Sequence, residues 1–164
     1  MISVQEAFTL LQANLPLPQT VVYPLVQARK HVLAKSVYSA INMPPFRQSS
    51  MDGYALCLHE SLEYECIGEV KAGDEHQIAL VPGQAVKIFT GAAVPDTAQA
   101  VVQIEIVKRM ESIIQLDKQP FIGMNVRPIG EQISSGDLAL EKGTQLNPAA
   151  IGFLTSLGYT TVKV

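Results

Sequence analysis

The segment Pro44–Tyr54 reads PPFRQSSMDGY, and it decides how the rest of the chain is interpreted. Pro44 and Pro45 fix φ at about −65° and lack an N–H, so the segment is stiff and is excluded from helix interiors and central strands. Asp52-Gly53 then predicts a turn, because glycine takes positive φ freely and aspartate tolerates the left-handed region. The Asp52 carboxylate is left available for backbone N–H groups, a metal or a ligand. The same dipeptide is also typical of a plain hairpin turn.

Composition predicts an ordered globular protein. A chain of 164 residues with 48% apolar content can bury one good core or two small ones. The net charge of −3, without a long basic block, argues against nucleic-acid binding. The first residues lack the features of a signal peptide, and no run approaches the roughly 18 apolar residues of a membrane helix. We therefore expect a soluble, cytoplasmic protein that binds neither nucleic acid nor membrane.

The cysteines and histidines do not form a recognisable metal or catalytic motif. Cys57 and Cys66 have no CxxC spacing, so neither a zinc site nor a disulfide framework is indicated, and both are expected to be reduced. His31, His59 and His76 are isolated and are interpreted as surface or structural residues. The sequence contains no phosphate-binding P-loop and no GxSxG motif. A small hydrolase would need a nucleophile and base pair that these residues do not reveal.

Helical signals lie near both ends of the chain. Ser3 and Glu6 have the spacing of a capping box, which predicts a helix over 3–14. Asn147 as N-cap and Pro148 in the first turn predict a second helix over 148–157. A weaker helical pattern covers 27–34. Extended segments are predicted at 21–26, 36–40 and 160–164.

The middle of the chain has the period-two alternation of strands. Strands are predicted at 62–70, 84–90, 100–108 and 112–116, with a hairpin loop at 108–112. Short strands at this spacing are typical of a small barrel or a coiled sheet. The pattern therefore predicts a mainly β protein with a few helices, in which a β-barrel-like or coiled-sheet module is inserted into an α+β domain made from both termini.

Two further segments carry groups suited to anions. In KIFTGA (87–92), Thr90 and Gly91 follow a strand, where successive backbone N–H groups can form an anion-binding nest. An ordinary strand exit has the same sequence features. Farther along, Arg127 offers a planar fork of donors and Glu131 an acceptor. Two such side chains this close are more often a solvated ion pair.

Four ordered blocks resemble the molybdopterin molybdenumtransferases, the family of MoeA and the gephyrin E-domain. The blocks are PPFRQSSMDGYA from Pro44, GEVKAG from Gly68, PGQAVKIFTGAAVP from Pro82 and NVRPIGEQISSGD from Asn125. The resemblance covers nearly the whole chain but only the N-terminal region of the family. It implies an elongated discontinuous α+β domain, residues 1–44 and 126–164, used for dimerisation and linking. Residues 45–125 are then the inserted β domain.

The resemblance also implies a reaction and a set of roles. Family members insert molybdate into adenylylated molybdopterin, with a magnesium ion, giving molybdenum cofactor and AMP. The cleft lies between this β domain and the pterin-binding domain of the other subunit of a homodimer, so we expect the chain alone to be inactive. Asp52 is expected to position a metal or water, and Thr90 to bond a phosphate or oxyanion. The expected substrate-binding residues are Ser49, Ser50, Gly91, Arg127 and Glu131.

Departures from the family pattern favour an alternative, a divergent non-catalytic module for dimerisation or interaction. Arg47 and Gln48 replace aspartate and asparagine, and Gln99 replaces another aspartate. Gln132 stands where a GED motif has its aspartate, which removes a negative charge and weakens any metal role there. Lys30 and the following His31 replace the common glycine and arginine.

Overall fold

A computed structural model describes residues 2–16, 19–74 and 78–164. The chain divides into two compact units: unit 1 is Met1–Val37 with Leu138–Val164, and unit 2 is Tyr38–Asp137. Unit 2 is therefore inserted into the sequence of unit 1. Within the described ranges, no helix is long and apolar enough to cross a membrane.

Two α-helices and twelve short strands form the described part of the chain. The helices are α1 (Val4–Asn14) and α2 (Pro148–Ser156), with 3-10 helices at Leu25–Gln27 and Ile104–Ile106. The strands are β1 (Val22–Pro24), β2 (Val37–Tyr38), β3 (Gln48–Ser49), β4 (Gly53–Leu56), β5 (Glu63–Val70), β6 (Gln84–Ile88), β7 (Ala100–Gln103), β8 (Val107–Met110), β9 (Ile113–Leu116), β10 (Val126–Arg127), β11 (Leu138–Leu140) and β12 (Thr161–Lys163).

The caps of both helices in unit 1 are as predicted. The Ser3 and Glu6 side chains each accept a hydrogen bond from the other residue's backbone N–H, which completes the capping box of α1. Asn147 Oδ1 accepts from the N–H of Ala150 and caps α2. Antiparallel pairing of β1 with β12 joins the two chain segments of the unit. The unit's core consists of Leu25, Ala28, Leu33, Leu146, Leu154 and Val162.

The prediction of a helix over 27–34 is wrong. Only the short 3-10 helix ending at Gln27 forms there, and Lys30 has a φ of 70°, in the left-handed region. The N–H groups of Lys30 and Leu33 donate to the carbonyls of Leu146 and Thr144. Because these donors are bonded to the returning chain, they are not available for an α-helix.

Unit 2 is built around a curled six-stranded sheet with the order β7-β4-β6-β5-β9-β8. Its neighbours are antiparallel except for the parallel pair β5 and β6, which has a bulge between Cys66 and Glu69. The predicted mainly β architecture with a coiled sheet is confirmed. Strands β3 and β10 form a separate antiparallel pair.

Both faces of the central strand β4 are buried. Successive residues of a strand point to opposite faces, and here Tyr54 and Leu56 join one apolar cluster while Ala55 joins the other. All four residues of β4 are buried. The position of this strand is therefore fixed by packing on both sides.

The predicted strand over 100–108 is interrupted. Strand β7 ends at Gln103, and the 3-10 helix Ile104–Ile106 leaves its two isoleucines partly exposed. The N–H of Ile104 donates to the carbonyl of Asp52, which extends the register of β7 with β4 by one bond before the chain enters the 3-10 helix. The hairpin loop predicted at 108–112 is also shorter, because β8 continues to Met110, which pairs with Ile113.

Candidate functional site

Three of the four motif blocks converge on the loop 47–52 of unit 2. On one side, the N–H of Ser49 donates to the carbonyl of Ala92, and the N–H of Gly91 donates back to the carbonyl of Ser49. On the other side, Ser49 pairs with Val126 in the ladder of β3 and β10, and Gln48 pairs with Arg127. Segments far apart in sequence therefore hold the loop from two sides.

Asp52 and Thr90 form a directly bonded, exposed pair. The backbone N–H and the hydroxyl of Thr90 both donate to Asp52 Oδ1, each at 2.7 Å. These two bonds, with the backbone bond as the larger cause, hold the pKa of the Asp52 carboxyl below its ordinary value, and the positive charge of Lys87 acts in the same direction. Asp52 is thus a fixed anion at neutral pH. Its Oδ2 receives no hydrogen bond from any described residue.

The donors of the predicted anion nest are satisfied within the chain. The N–H of Thr90 bonds Asp52, that of Gly91 bonds Ser49, and that of Ala92 bonds the carbonyl of Phe89. A hydroxyl has a single proton to donate, and Thr90 gives it to Asp52. In this geometry the hydroxyl of Thr90 is committed to holding the Asp52 carboxylate.

The two serines of the loop also bond within the chain. Ser49 is 1% exposed, and its hydroxyl donates to the carbonyl of Met51 at 2.7 Å. Ser50 is partly buried, and its hydroxyl donates to the carbonyl of Asn125 at 3.1 Å. Both side chains therefore shape the loop that presents Asp52.

Arg127 and Glu131 form a loose ion pair at the edge of this region. Arg127 Nε lies 3.8 Å from Glu131 Oε2, and both side chains are nearly half exposed. A pair of this kind contributes little to stability. The guanidinium of Arg127 consequently keeps most of its donors for another acceptor.

Gly53 is not a hairpin turn residue. It begins β4 after a bend, and its φ is not in the left-handed region. A Cβ built on Gly53 would lie 1.9 Å from the carbonyl oxygen of Val102 on β7. Glycine is required here by the close approach of β7, and the same approach fixes the position of the preceding Asp52.

Three of the departures from the family pattern have structural partners. Arg47 Nη2 donates to the carbonyl of Ala98 at 2.6 Å. Gln48 Nε2 donates to the carbonyl of Gly91 at 3.2 Å, and Gln99 Oε1 accepts from the N–H of Leu58 at 2.7 Å. These side chains hold neighbouring loops together. Gln132 is exposed, and its side chain makes no hydrogen bond with the residues that the structure describes.

The isolated histidines and cysteines lie in separate surroundings. The ring of His31 stacks against Tyr23 in unit 1, whereas His59 Nε2 is 2.8 Å from the carbonyl of Glu63 in unit 2. His76 lies outside the described residues. Cys57 and Cys66 are free thiols, buried and partly buried.

The magnesium ion that the family resemblance implies would find one carboxylate, that of Asp52, on the loop 47–52. In the described part of the chain, no three His, Cys, Asp or Glu side chains are grouped so that they could hold a metal. Magnesium commonly takes one or two protein carboxylates and completes its octahedron with water and substrate phosphates. The Oδ2 atom of Asp52 fits one such position, but the described residues by themselves do not form a complete metal site.

Comparison with known proteins gives one consistent result. A family model described as "MoeA N-terminal region (domain I and II)" matches residues 2–158. The molybdopterin molybdenumtransferase of Haemophilus influenzae is 35% identical over 168 residues, which cover 99% of this chain and 42% of the relative. A putative molybdopterin biosynthesis protein of Methanocaldococcus jannaschii is 33% identical over 144 residues, covering 85% and 35%.

A solved structure agrees with these sequence matches. The molybdopterin biosynthesis MoeA protein of Pyrococcus horikoshii superposes with a TM-score of 0.89 at 32% identity, covering 98% of this chain and 45% of that one. The chain spans less than half the length of each of these relatives.

Proposed function

The chain belongs to the family of MoeA N-terminal regions, and from this premise we propose that it forms one wall of a molybdenum-insertion cleft. The proposed reaction inserts molybdate into adenylylated molybdopterin during molybdenum cofactor biosynthesis. Support comes from relatives that are named molybdopterin molybdenumtransferases. We propose that the other wall belongs to the pterin-binding region that the family resemblance implies.

The observation that carries the proposal is the bonded pair of Asp52 and Thr90. An exposed carboxylate with two short hydrogen bonds to the same oxygen is held in one orientation. Like any exposed aspartate it is ionised at neutral pH, and the two bonds from Thr90 lower its pKa further. A preorganised charge is what a site for polar chemistry needs.

Each residue has a proposed role that follows from its contacts. Asp52 Oδ2 positions a water molecule or supplies one ligand to magnesium, which when bound would neutralise phosphate charge. Thr90 holds Asp52, and Arg127 contacts the anionic substrate. Glu131 orients Arg127. The loop is shaped by Ser49, Ser50 and Gly91.

The proposed partners are the pterin-binding region and a second copy of the chain. Helix α1 buries none of its own residues, and its apolar side chains Val4, Phe8 and Leu11 are 59–75% exposed. Such a face is suited to contact with another polypeptide. Sedimentation equilibrium of the chain is expected to show a dimer, and a monomer at all concentrations would contradict this part. The cytoplasmic location stays a prediction from sequence.

The test uses a chimera in which this chain replaces the matching N-terminal region of the Haemophilus influenzae relative. Molybdenum insertion and AMP release are measured with adenylylated molybdopterin and molybdate. We expect the chimera to turn over and Asp52→Asn to lower kcat about 100-fold, because positioned acid or base groups commonly contribute that much. Asp117→Asn is the matched control, since Asp117 is an exposed carboxylate paired with Lys108.

Two results would contradict the proposal. One is an Asp52→Asn chimera as active as the Asp117→Asn control, which would favour the non-catalytic dimerisation or interaction module. The other is multiple turnover by the 164-residue chain alone, because half a cleft is not expected to complete the reaction.

A further inference from the structure

A second feature of unit 2 is an open groove of about 410 Å³ next to the sheet bulge. Its lining residues are Cys66, Ile67, Gly68, Glu69, Lys87 and Arg109. The bulge interrupts the ladder between β5 and β6, which leaves two of the lining residues, Ile67 and Gly68, without partners on β6. The volume falls within the range of about 300–1,000 Å³ that is usual for small-molecule sites.

The groove has two cations that lack a carboxylate partner. Among the described residues, neither Lys87 nor Arg109 has an acidic group within ion-pair distance. The Lys87 ammonium lies 4.9 Å from the centroid of the Phe89 ring, and Arg109 Nε donates to the carbonyl of Glu111 at 2.9 Å. The terminal nitrogens of Arg109 make no hydrogen bond to any described residue.

The one carboxylate that lines the groove is already compensated. Glu69 Oε1 lies 2.7 Å from the ammonium of Lys71, and this contact lowers the pKa of Glu69. Lys87 is also the register partner of Glu69, and its charge lowers the pKa of that carboxyl further. A bound anion would therefore share Lys87 with Glu69, whereas no described carboxylate lies within ion-pair distance of Arg109. By contrast, Lys108, the neighbour of Arg109 on β8, is paired with Asp117 at 3.0 Å.

Lys87 connects the groove to the proposed cleft wall. It lies on β6, the strand that leads into Thr90, and pairs in register with Tyr54 on β4. Asp52 directly precedes Gly53, whose partner on β6 is Ile88, so Asp52 and Lys87 flank the same cross-strand pair. The effect of the Lys87 charge on the Asp52 carboxyl agrees with this placement.

We propose that the groove between Lys87 and Arg109 is a subsite for the diphosphate group of the substrate. The assignment deepens the proposed function and rests on it. Arginine recognises phosphate oxygens through paired donors, and lysine supplies a compact charge. With the diphosphate in the groove, Lys87 lies between the phosphates and Asp52, so the groove sets which end of the substrate faces the carboxylate.

Inorganic pyrophosphate is the probe for the groove itself. It is titrated into the ¹⁵N-labelled 164-residue chain, and amide shifts are followed. We expect the largest shifts at residues 66–69, 87–90 and 109. Lys87→Gln and Arg109→Gln are each expected to weaken binding about tenfold, the loss of one charge-assisted contact.

Lys108→Gln is the matched control, because it removes the same charge from the same strand as Arg109 but from outside the groove. It is expected to change the affinity less than threefold, and Lys87→Arg is expected to restore most of the binding. Shifts centred elsewhere, or equal weakening by Lys87→Gln and Lys108→Gln, would overturn the subsite. Spectra of the free variants that match the parent outside the groove show that the fold is kept.

Kinetics of the chimera separate this subsite from the cleft proposal. Lys87→Gln is expected to raise KM for adenylylated molybdopterin about tenfold and to leave kcat within about twofold, whereas Asp52→Asn lowers kcat. An unchanged KM in Lys87→Gln would overturn the subsite even if Asp52→Asn is inactive. An unchanged kcat in Asp52→Asn would overturn the cleft proposal, and the pyrophosphate titration would still decide whether the groove binds diphosphate.

Discussion

Helix α1 and strand β4 are held in place in opposite ways. The eleven residues of α1 include none that is buried, and the helix is defined by the capping box at Ser3 and Glu6. The four residues of β4 are all buried between two apolar clusters. Local hydrogen bonds therefore define α1, whereas packing at long sequence distance defines β4.

The difference matters because the candidate site depends on β4. Asp52 immediately precedes this strand. The close approach of β7 to Gly53 therefore fixes the backbone position from which the Asp52 side chain projects. A helix shorter than about 12–15 residues is marginal without packing, so α1 can fray without moving Asp52. Mutations in β4 should therefore change the free energy of unfolding more than mutations in α1 do.

The largest expected effect is that of Gly53→Ala. The added Cβ would overlap the carbonyl of Val102 at 1.9 Å, and backbone cannot give way as a flexible side chain does. We expect a loss of about 3 kcal/mol in the free energy of unfolding, the upper end for overpacked sites. Urea denaturation followed by circular dichroism measures it.

Gly152→Ala provides the contrast. Gly152 lies in α2, and a Cβ there would have no atom within 4 Å. Alanine should therefore stabilise the helix by about 0.5–1 kcal/mol. If the two alanine variants had equal stability, steric exclusion at Gly53 would be the wrong explanation.

A smaller and local effect is expected for Ser3→Ala. Loss of an N-cap side chain costs about 1 kcal/mol. Because α1 buries nothing, this loss should reduce the helical population of residues 4–14 and leave the unfolding midpoint of the sheet unchanged. Cα chemical shifts report the helical population, and Ser3→Asp, which keeps a capping oxygen, should retain it. A fall in the midpoint of the sheet would show that α1 and β4 are coupled.

The features that could be predicted from sequence are those with local causes. Ser3, Glu6 and Asn147 indicate where helices begin, because their side chains accept hydrogen bonds from backbone N–H groups three residues away. Lys30 shows the limit. Its left-handed φ of 70° results from bonding to the returning chain near Leu146, and no local pattern indicates that contact. Glycine at this position, which the family resemblance led us to expect, would adopt this conformation without strain.

The same limit applies to the site. The motif blocks identified Asp52 and Thr90 together, and the structure brings their side chains into direct contact. Sequence did not indicate that Thr90 would give its proton to Asp52, because the direction of a hydroxyl depends on the nearest acceptor in space. Lys87 was missed as a neighbour of Asp52. The available signal was that Lys87, a polar residue next to the apolar Ile88, lies on the predicted strand that leads to Thr90.

Whether Thr90 works through Asp52 is decided by a double-mutant cycle of Asp52→Asn and Thr90→Val in the chimera. If Thr90 acts by holding Asp52, Thr90→Val alone should lower kcat but should add less than about threefold in the Asp52→Asn background, because residues that act as a unit are not additive. Independent effects that multiply in the double variant would contradict it.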